Sequence, residues 1–411
     1  MLGRPSKGCQ FLRPRSPDPL SRVHNSAGIH ALPPGVTGRS VRCARRCPLT
    51  SSKPVIAVSH CTATGVDPRF IRHLLQMEGA FARADENPDP NFYAAERMVS
   101  HLDSTALATV EELVGSLVTE EAPVILDLMS SWDTHLPPSV APGEVVGLGL
   151  NPREMDANPV LSRRVIHDLN EDPRVPFAAD TFDVVLNVVS VEYLTKPFEV
   201  FREVGRVLKP GGLFLVVFSN RWFPPKVVRI WEDGSEHERL GLVEEYLRLV
   251  DVLLPAQMFI SMGLPRPVDD RYAGTGIPSD PVFALFAEKM GGKSGGSIRD
   301  LPPDPARLEV DPDAVAAGKL DVRHTLACPH CQKALSKWEV PDDPCIDWPN
   351  EYMYLCFNDH CPFLVRGWRY MWEQMIEGHS YRYLFNPLTG ASTTVPIQGL
   401  LDLKPGIVPE E

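Results

Sequence analysis

Four short apolar runs organise the middle of the chain: VILD (Val124 to Asp127), EVVGLGL (Glu144 to Leu150), FDVVLNVV (Phe182 to Val189) and LFLVVF (Leu213 to Phe218). They do not alternate apolar with polar positions, and they are rich in β-branched and large apolar side chains. Such runs predict strands buried on both faces of a sheet. Val282 to Ala287 predicts a closing strand. Helical spacing lies around them. Leu107, Val110, Val114 and Leu117 form one stripe, inside a segment from Phe92 to Val118 that reads as helical. Phe201, Val204, Val207 and Leu208 form a second, between the last two runs. Thr195 and Pro197 stand where a cap and an early proline belong, and KPGG (Lys209 to Gly212) supplies the stop. Ser235 and Glu238 have the capping-box spacing, ahead of a stripe of Val243, Tyr246, Leu247 and Val250. Strands alternating with helices predict an α/β fold with an open, mostly parallel sheet.

Ligands of such sheets bind outside the carboxyl ends of the strands. The residues to watch are therefore Asp127 to His135, Gly149 to Asn151, His167 to Asn170, Asn187 to Tyr193 and Ser219 to Arg221.

Composition divides the chain further. Its 411 residues suggest two or three domains. Proline, at 41 residues, is about double the usual ~5% and predicts long loops and linkers. Residues 1–54 hold eight Arg and two Lys against one Asp, a surplus of +9 that leaves −21 of the net −12 on the remainder. An Arg- and Ser-rich, acid-poor leader reads as an organelle transit peptide, with a disordered basic tail as the alternative. An acidic body disfavours non-specific nucleic-acid binding. No apolar run reaches the ~20 residues of a membrane span, so a soluble protein is expected. The expected division is a leader at 1–54, an N-terminal helical extension at 55–122, the α/β domain at 123–289, a Gly/Ser/Pro-rich linker at 290–322 and a terminal unit at 323–411.

Nine cysteines fall into two groups, with none between Cys61 and Cys328. Cys328-Pro-His-Cys331 is C-x2-C and Cys356 to Cys361 is C-x4-C. Four thiolates in two knuckles suit a tetrahedral structural zinc with no open catalytic position; a disulfide pair or an iron site is the alternative. His330 and His360 are expected to be exposed, and Cys345 to be a spare thiol. Trp368, Met371, Trp372 and Met375 read as a packing stripe, and Tyr381 to Ile397 as a hairpin.

Val175 to Asn220 (VPFAADTFDVVLNVVSVEYLTKPFEVFREVGRVLKPGGLFLVVFSN) joins a VPFAADTFD block to an RVLKPGG block. Over about Val124 to Lys289 the chain resembles the class I S-adenosylmethionine-dependent methyltransferases. The likeness is to the type 11-like, small-molecule group around the ubiquinone/menaquinone enzymes. DLMSSW and the upstream FY-x-x-x-R-x-V-x-H-x-D pattern resemble a branch of methyltransferase-like proteins from cyanobacteria and plants. VRCARRCPL (Val41 to Leu49) resembles processing regions of green-algal chloroplast precursors. CPHC, LCFNDHCPFLVRGW and SYRYLFNP, within about Ala327 to Val395, resemble the Ogr/Delta-like zinc ribbons.

The resemblance implies a Rossmann-like methyltransferase sheet and a cofactor pocket. Asp127 matches the acid that ends the first strand. Ser130 and Ser131 stand in the loop where the family has glycines, and Gly149 stands where the family has a ribose-holding acid. Asn151 is then the nearest hydroxyl partner. Asp168 and Leu169 match the acid-plus-apolar pair at the adenine, Asn187 the cofactor floor, and His135 and Tyr193 the acceptor side, with His167 and Glu192 as further base candidates. Tyr93, Arg97 and His101 share a helical face that could close a lid or simply pack. The expected function is methyl transfer to a small or lipid-like acceptor, most simply in a chloroplast, with the mitochondrion as alternative. The zinc ribbon would then serve protein interaction. The competing expectations are a catalytically inactive scaffold and an RNA-modifying enzyme.

Overall fold

The computed structural model describes residues 62–291, 301–341 and 348–409. The leader, Cys61 and Cys345 lie outside them. The described chain runs α1 (Pro68–Leu75), α2 (Asp89–Tyr93), α3 (Ser104–Leu117), β1 (Val124–Leu128), β2 (Glu144–Gly149), α4 (Pro152–Ala157), β3 (Arg163–Ile166), β4 (Phe182–Val188), α5 (Pro197–Val207), β5 (Leu208–Phe218), α6 (Arg229–Asp233), α7 (Glu236–Arg248), β6 (Gln257–Ser261) and β7 (Val282–Glu288). It continues through α8 (Pro312–Thr325), β8 (Ser336–Glu339), β9 (Tyr352–Leu355), α9 (Pro362–Glu373), β10 (Ser380–Phe385) and β11 (Ser392–Ile397).

The first sheet has the order β3-β2-β1-β4-β5-β7-β6. β1 pairs parallel with β2 and β4, β2 with β3, and β4 with β5, while β7 runs antiparallel to both β5 and β6. This is the mostly parallel, helix-flanked sheet of the Rossmann-like methyltransferases. The order reverses between β1 and β4, the place where such sheets open a ligand crevice. The apolar runs become strands for the reason their pattern gave: β4, β5 beyond Gly212 and β7 are buried on both faces.

The connection from β1 to β2 contains no helix, as Pro137, Pro138 and Pro142 require. α3 covers that face instead. Its Ala106, Val110, Leu113, Val114 and Leu117 join one apolar core with Ile125, Val145, Val184, Leu215 and Phe286. Burying such side chains contributes about 1.5–3 kcal/mol each before the ordering cost is subtracted.

Four details depart from the sequence expectations. The long helical segment is two pieces, because residues 94–103 are not helical and Asp103 caps α3 by accepting from Thr105 and Ala106 N–H. Thr195 does not cap α5; its N–H and hydroxyl both donate to Asn170 Oδ1. KPGG lies inside β5, which begins at Leu208 directly after α5. The expected linker turns helical at residue 312, in a helix that runs on to 325, with the Asp311 carboxylate accepting from Asp313 N–H at the start. The Ser235–Glu238 capping box is present at α7.

The cysteine-rich unit carries an antiparallel sheet of order β11-β10-β9-β8, with α9 against β10. It docks on the first sheet's far edge. Trp372 stacks on His237 with ring centroids 3.7 Å apart, and Arg369 Nη1 donates to Ile260 O at 2.6 Å. Gly263, at φ +91, lets Trp368 and Val365 O approach where any Cβ would lie within 2.6 Å of both. Among the described residues no helix is long and apolar enough to cross a membrane.

Candidate functional site

Loops at the carboxyl ends of β1, β2, β3 and β4 wall a cleft of about 1070 Å3, open solvent at its mouth included. Asp127, Ser130, Ser131, His135, Asn151, Asp168, Leu169 and Tyr193 all line it. Asn187 lies just beneath, fully buried beside the lining residue Val188. The three positions spaced as a helical face, Tyr93, Arg97 and His101, also reach the cleft. They do so from α2 and the irregular chain after it, not from one helix.

The floor is polar and unsatisfied. Asp127 Oδ2, Ser130 Oγ, Asn187 Oδ1 and Ser190 Oγ are buried with no hydrogen-bond partner. Buried polar groups without partners are costly and uncommon, so a set of four under one cleft fits a polar ligand. Burial pushes the Asp127 carboxyl up to about 7. Buried Glu192, beside Tyr193, is pushed by the same desolvation to about 8, and neither of its carboxylate oxygens has a partner.

The loop after β1 keeps a glycine-like course without glycine. Met129 and His135 hold φ of +58 and +56, in the left-handed region that costs a non-glycine residue of order 1 kcal/mol or more. Ser130 N donates to Leu148 O at 2.9 Å, drawing the loop onto β2. Gly149 is required by that approach, since a Cβ there would lie 2.2 Å from Ser130 O. No acidic side chain fits at this position.

A carboxylate still reaches the end of β2. Glu154, in the first turn of α4, lines the cleft and is 7% exposed. Its Oε2 accepts from Ser131 Oγ at 2.6 Å and its Oε1 from Arg97 N at 2.7 Å. Sequence reasoning passed over Glu154, because it looked for the acid at the end of the strand. Asn151, by contrast, is spent: its Oδ1 caps α4 and its Nδ2 donates to Tyr93 O.

Asp168 Oδ1 accepts the N–H of Asn170 and of Glu171, and Leu169 is buried beside it. His167 also lines the cleft, with its Nε2 2.8 Å from Asp172 O. His135 sits with Nδ1 3.4 Å from Asp133 Oδ2, and that contact holds the Asp133 carboxyl below its ordinary range. The Tyr193 hydroxyl accepts from Phe223 N at 2.8 Å, and burial raises it well above an ordinary phenol. A phenol so raised is a poor base and a stable donor.

The outer wall is clamped by Asp89. Burial opposes its charge, but hydrogen bonds from Arg83, Asn170 and Lys226 keep its carboxyl below the usual range. Arg83 Nη1 lies 2.8 Å and Lys226 Nζ 3.1 Å from it. This holds α2, and with it Tyr93, against the body.

In the second unit, Cys328, Cys331, Cys356 and Cys361 bring their sulfurs within 4.8 Å of one another. Cys328 and Cys361 are 3.9 Å apart, and Cys331 and Cys356 3.6 Å. A tetrahedral ion with bonds of about 2.3 Å would set sulfurs about 3.8 Å apart, so the donor set fits zinc. His360 is exposed as expected. His330 is not: its ring stacks on Phe363 at 4.2 Å and both its nitrogens are buried without partners. No residue after Phe223 lines the cleft, so the thiol cluster is not part of it.

Residues 135–216 match the methyltransferase domain family. Together with the strand order, this defines the central domain as one of S-adenosylmethionine-dependent methyltransferase fold. No curated protein matches the chain. Among solved structures, the chain is similar to one from the complex between the Haloferax volcanii Trm112 methyltransferase activator and a methyltransferase. That similarity has 18% identity over 46% of this chain and 88% of that one, with a TM-score of 0.32. A methyltransferase from Archaeoglobus fulgidus has 14% identity over 45% and 93%, at 0.32. Geranyl diphosphate C-methyltransferase from Streptomyces coelicolor A3(2), in complex with Mg2+, geranyl diphosphate and S-adenosyl-L-homocysteine, has 16% identity over 50% and 95%, at 0.31.

Proposed function

We propose that this chain is an S-adenosylmethionine-dependent methyltransferase acting on a small-molecule or lipid-like acceptor, with a structural zinc in its C-terminal unit. The observation that carries the reading is the set of orphaned polar atoms of Asp127, Ser130, Asn187 and Ser190 beneath a cleft at the sheet's switch point. The cofactor, when bound, supplies an activated methyl group on a sulfonium. The chain's own residues bind and orient it. Asp127 and the Ser130–Ser131 loop would hold its methionine part, and Asp168 and Leu169 its adenine. Glu154, rather than Asn151, would face a ribose, through the acceptor capacity its carboxylate keeps beyond its bonds to Ser131 and Arg97. Four carboxyl groups on this side suit a cationic ligand. His135, oriented by Asp133, would take a proton from an acceptor that must lose one. Trp132 and Val99 at the mouth would exclude water.

The four thiols would hold zinc for folding. Cys361 immediately precedes α9, so the ion would fix the helix that docks the unit through Trp368 and Trp372. A plastid location is proposed from the leader alone and is tested by import of the full chain into isolated chloroplasts, with mitochondria as the control.

Calorimetry with S-adenosylmethionine and S-adenosylhomocysteine on the zinc-loaded protein tests the central claim. Micromolar binding that is lost in Asp127→Ala and in Asp168→Ala supports it. Absence of binding at millimolar cofactor to folded protein would leave the scaffold reading in its place.

A further inference from the structure

The cleft is divided by charge. The strand-end loops carry Asp127, Asp133 and Asp168, while Glu154 of α4 meets the Arg97 backbone N–H at the boundary. The other half is walled by the N-terminal extension and by Phe223, and its one acid, Asp89, is already paired with both Arg83 and Lys226. Arg97 is different. Its guanidinium donates only to the backbone carbonyls of Ala95 and Phe92, each at 3.1 Å, and among the described residues no carboxylate is paired with it. It lies over the Phe92 ring at 4.4 Å and near the Phe223 ring at 5.5 Å, which fixes where the charge stands. The walls around it are flat and neutral. Phe223 stacks with Tyr193 at 5.9 Å and meets His101 edge-on at 5.3 Å. The Tyr93 hydroxyl is buried with no hydrogen-bond partner. Burial pushes His101 down to about 4, so it presents a neutral imidazole at physiological pH.

We propose that this half of the cleft selects a small organic acid with an apolar, ring-bearing body, whose anionic group pairs with Arg97 while the body lies against Phe223 and the Tyr93 hydroxyl hydrogen-bonds to it. The inference rests on the methyltransferase reading, since it names the class of that enzyme's acceptor. A partly desolvated guanidinium gains an ion-paired hydrogen bond from a carboxylate and only a weaker bond, without the ion pair, from the carbonyl of the neutral amide of the same shape. The aromatic walls favour a flat body in both cases, so the discrimination between acid and amide isolates Arg97.

The test uses the full, zinc-loaded chain and two probe acids, cinnamate and hydrocinnamate, each against its neutral amide. Binding is measured by calorimetry with and without saturating S-adenosylhomocysteine. The acids are expected to bind roughly tenfold more tightly than the amides. Arg97→Gln should remove that preference and Arg97→Lys should keep part of it, with unchanged thermal melts showing that both variants fold. Equal binding of acid and amide, no binding of the acids, or a preference that survives in Arg97→Gln would each overturn the inference. Failure of S-adenosylhomocysteine itself to bind would count against the cofactor reading and is seen separately.

Discussion

Glu377, from the cysteine-rich unit, accepts the backbone N–H of Glu236 at 3.0 Å and the ring Nδ1 of His237 at 3.1 Å. A carboxylate of one unit thus caps the first turn of α7 in the other, where the helix leaves its N–H groups unpaired and its dipole positive. Removing it by Glu377→Ala should cost about 1 kcal/mol. Glu377→Gln, which keeps an acceptor but no charge, should cost less. Chemical denaturation checks both, and equal stability of all three proteins would show that the contact does not brace the units.

The zinc site and the docked helix should report on each other. A chelator is expected to release about one zinc per chain. It should also shift the emission of buried Trp368 and Trp372 to the red, as α9 loosens behind Cys361. Cys356→Ser should give the same shift without chelator. Zinc release with no change in emission would separate the metal from the docking.

Gly149→Asp places at the end of the second strand the acid that the methyltransferase resemblance implies there, and it should damage the protein. The new Cβ would stand 2.2 Å from Ser130 O, and its carboxylate would be buried among Asp127 and Glu154. A loss of roughly 3 kcal/mol is expected, together with weaker S-adenosylhomocysteine binding. Tighter binding of the cofactor by this variant would refute the account of the loop.

Asp127 and Glu192 give the pH dependence its sign. Their carboxyls titrate near 7 and 8 in the folded chain but near 3.8 and 4.5 when free. Between those values the folded protein holds protons that the unfolded chain has released, so stability falls as pH rises from about 4 to 8. Glu192→Gln should flatten the upper part of that fall and raise the melting temperature at pH 8 by a few degrees relative to the parent. Melts recorded across this range decide it, and a parent whose stability climbs steadily to pH 8 would contradict the assignment.

Much of the fold was legible because short, non-alternating apolar runs bounded by turn residues and rich in β-branched side chains suit strands buried on both faces. β1, β2, β4 and β7 fall where VILD, EVVGLGL, FDVVLNVV and Val282 to Ala287 put them. β3 and β6 were not legible. Arg163-Arg164-Val165-Ile166 is an exposed edge strand, with little burial to imprint a pattern, and Gln257 to Ser261 is a five-residue edge strand paired only with β7. The four cysteines could be read as one site from their spacing alone, since two short knuckles leave few other ways to meet.

What the sequence determined by itself was therefore local and periodic: which runs are buried, where Ser235 starts a helix, and which thiols belong together. Tertiary structure alone decided the chemistry of the cleft. Tyr93, Arg97 and His101 reach it through a broken helix. Glu154 supplies the carboxylate that Gly149 has no room for, and Glu377 caps a helix 141 residues away in the chain. The reason is physical: a backbone pattern fixes burial over a few residues. A charge's partner is set by which loops the closed sheet brings within hydrogen-bond range.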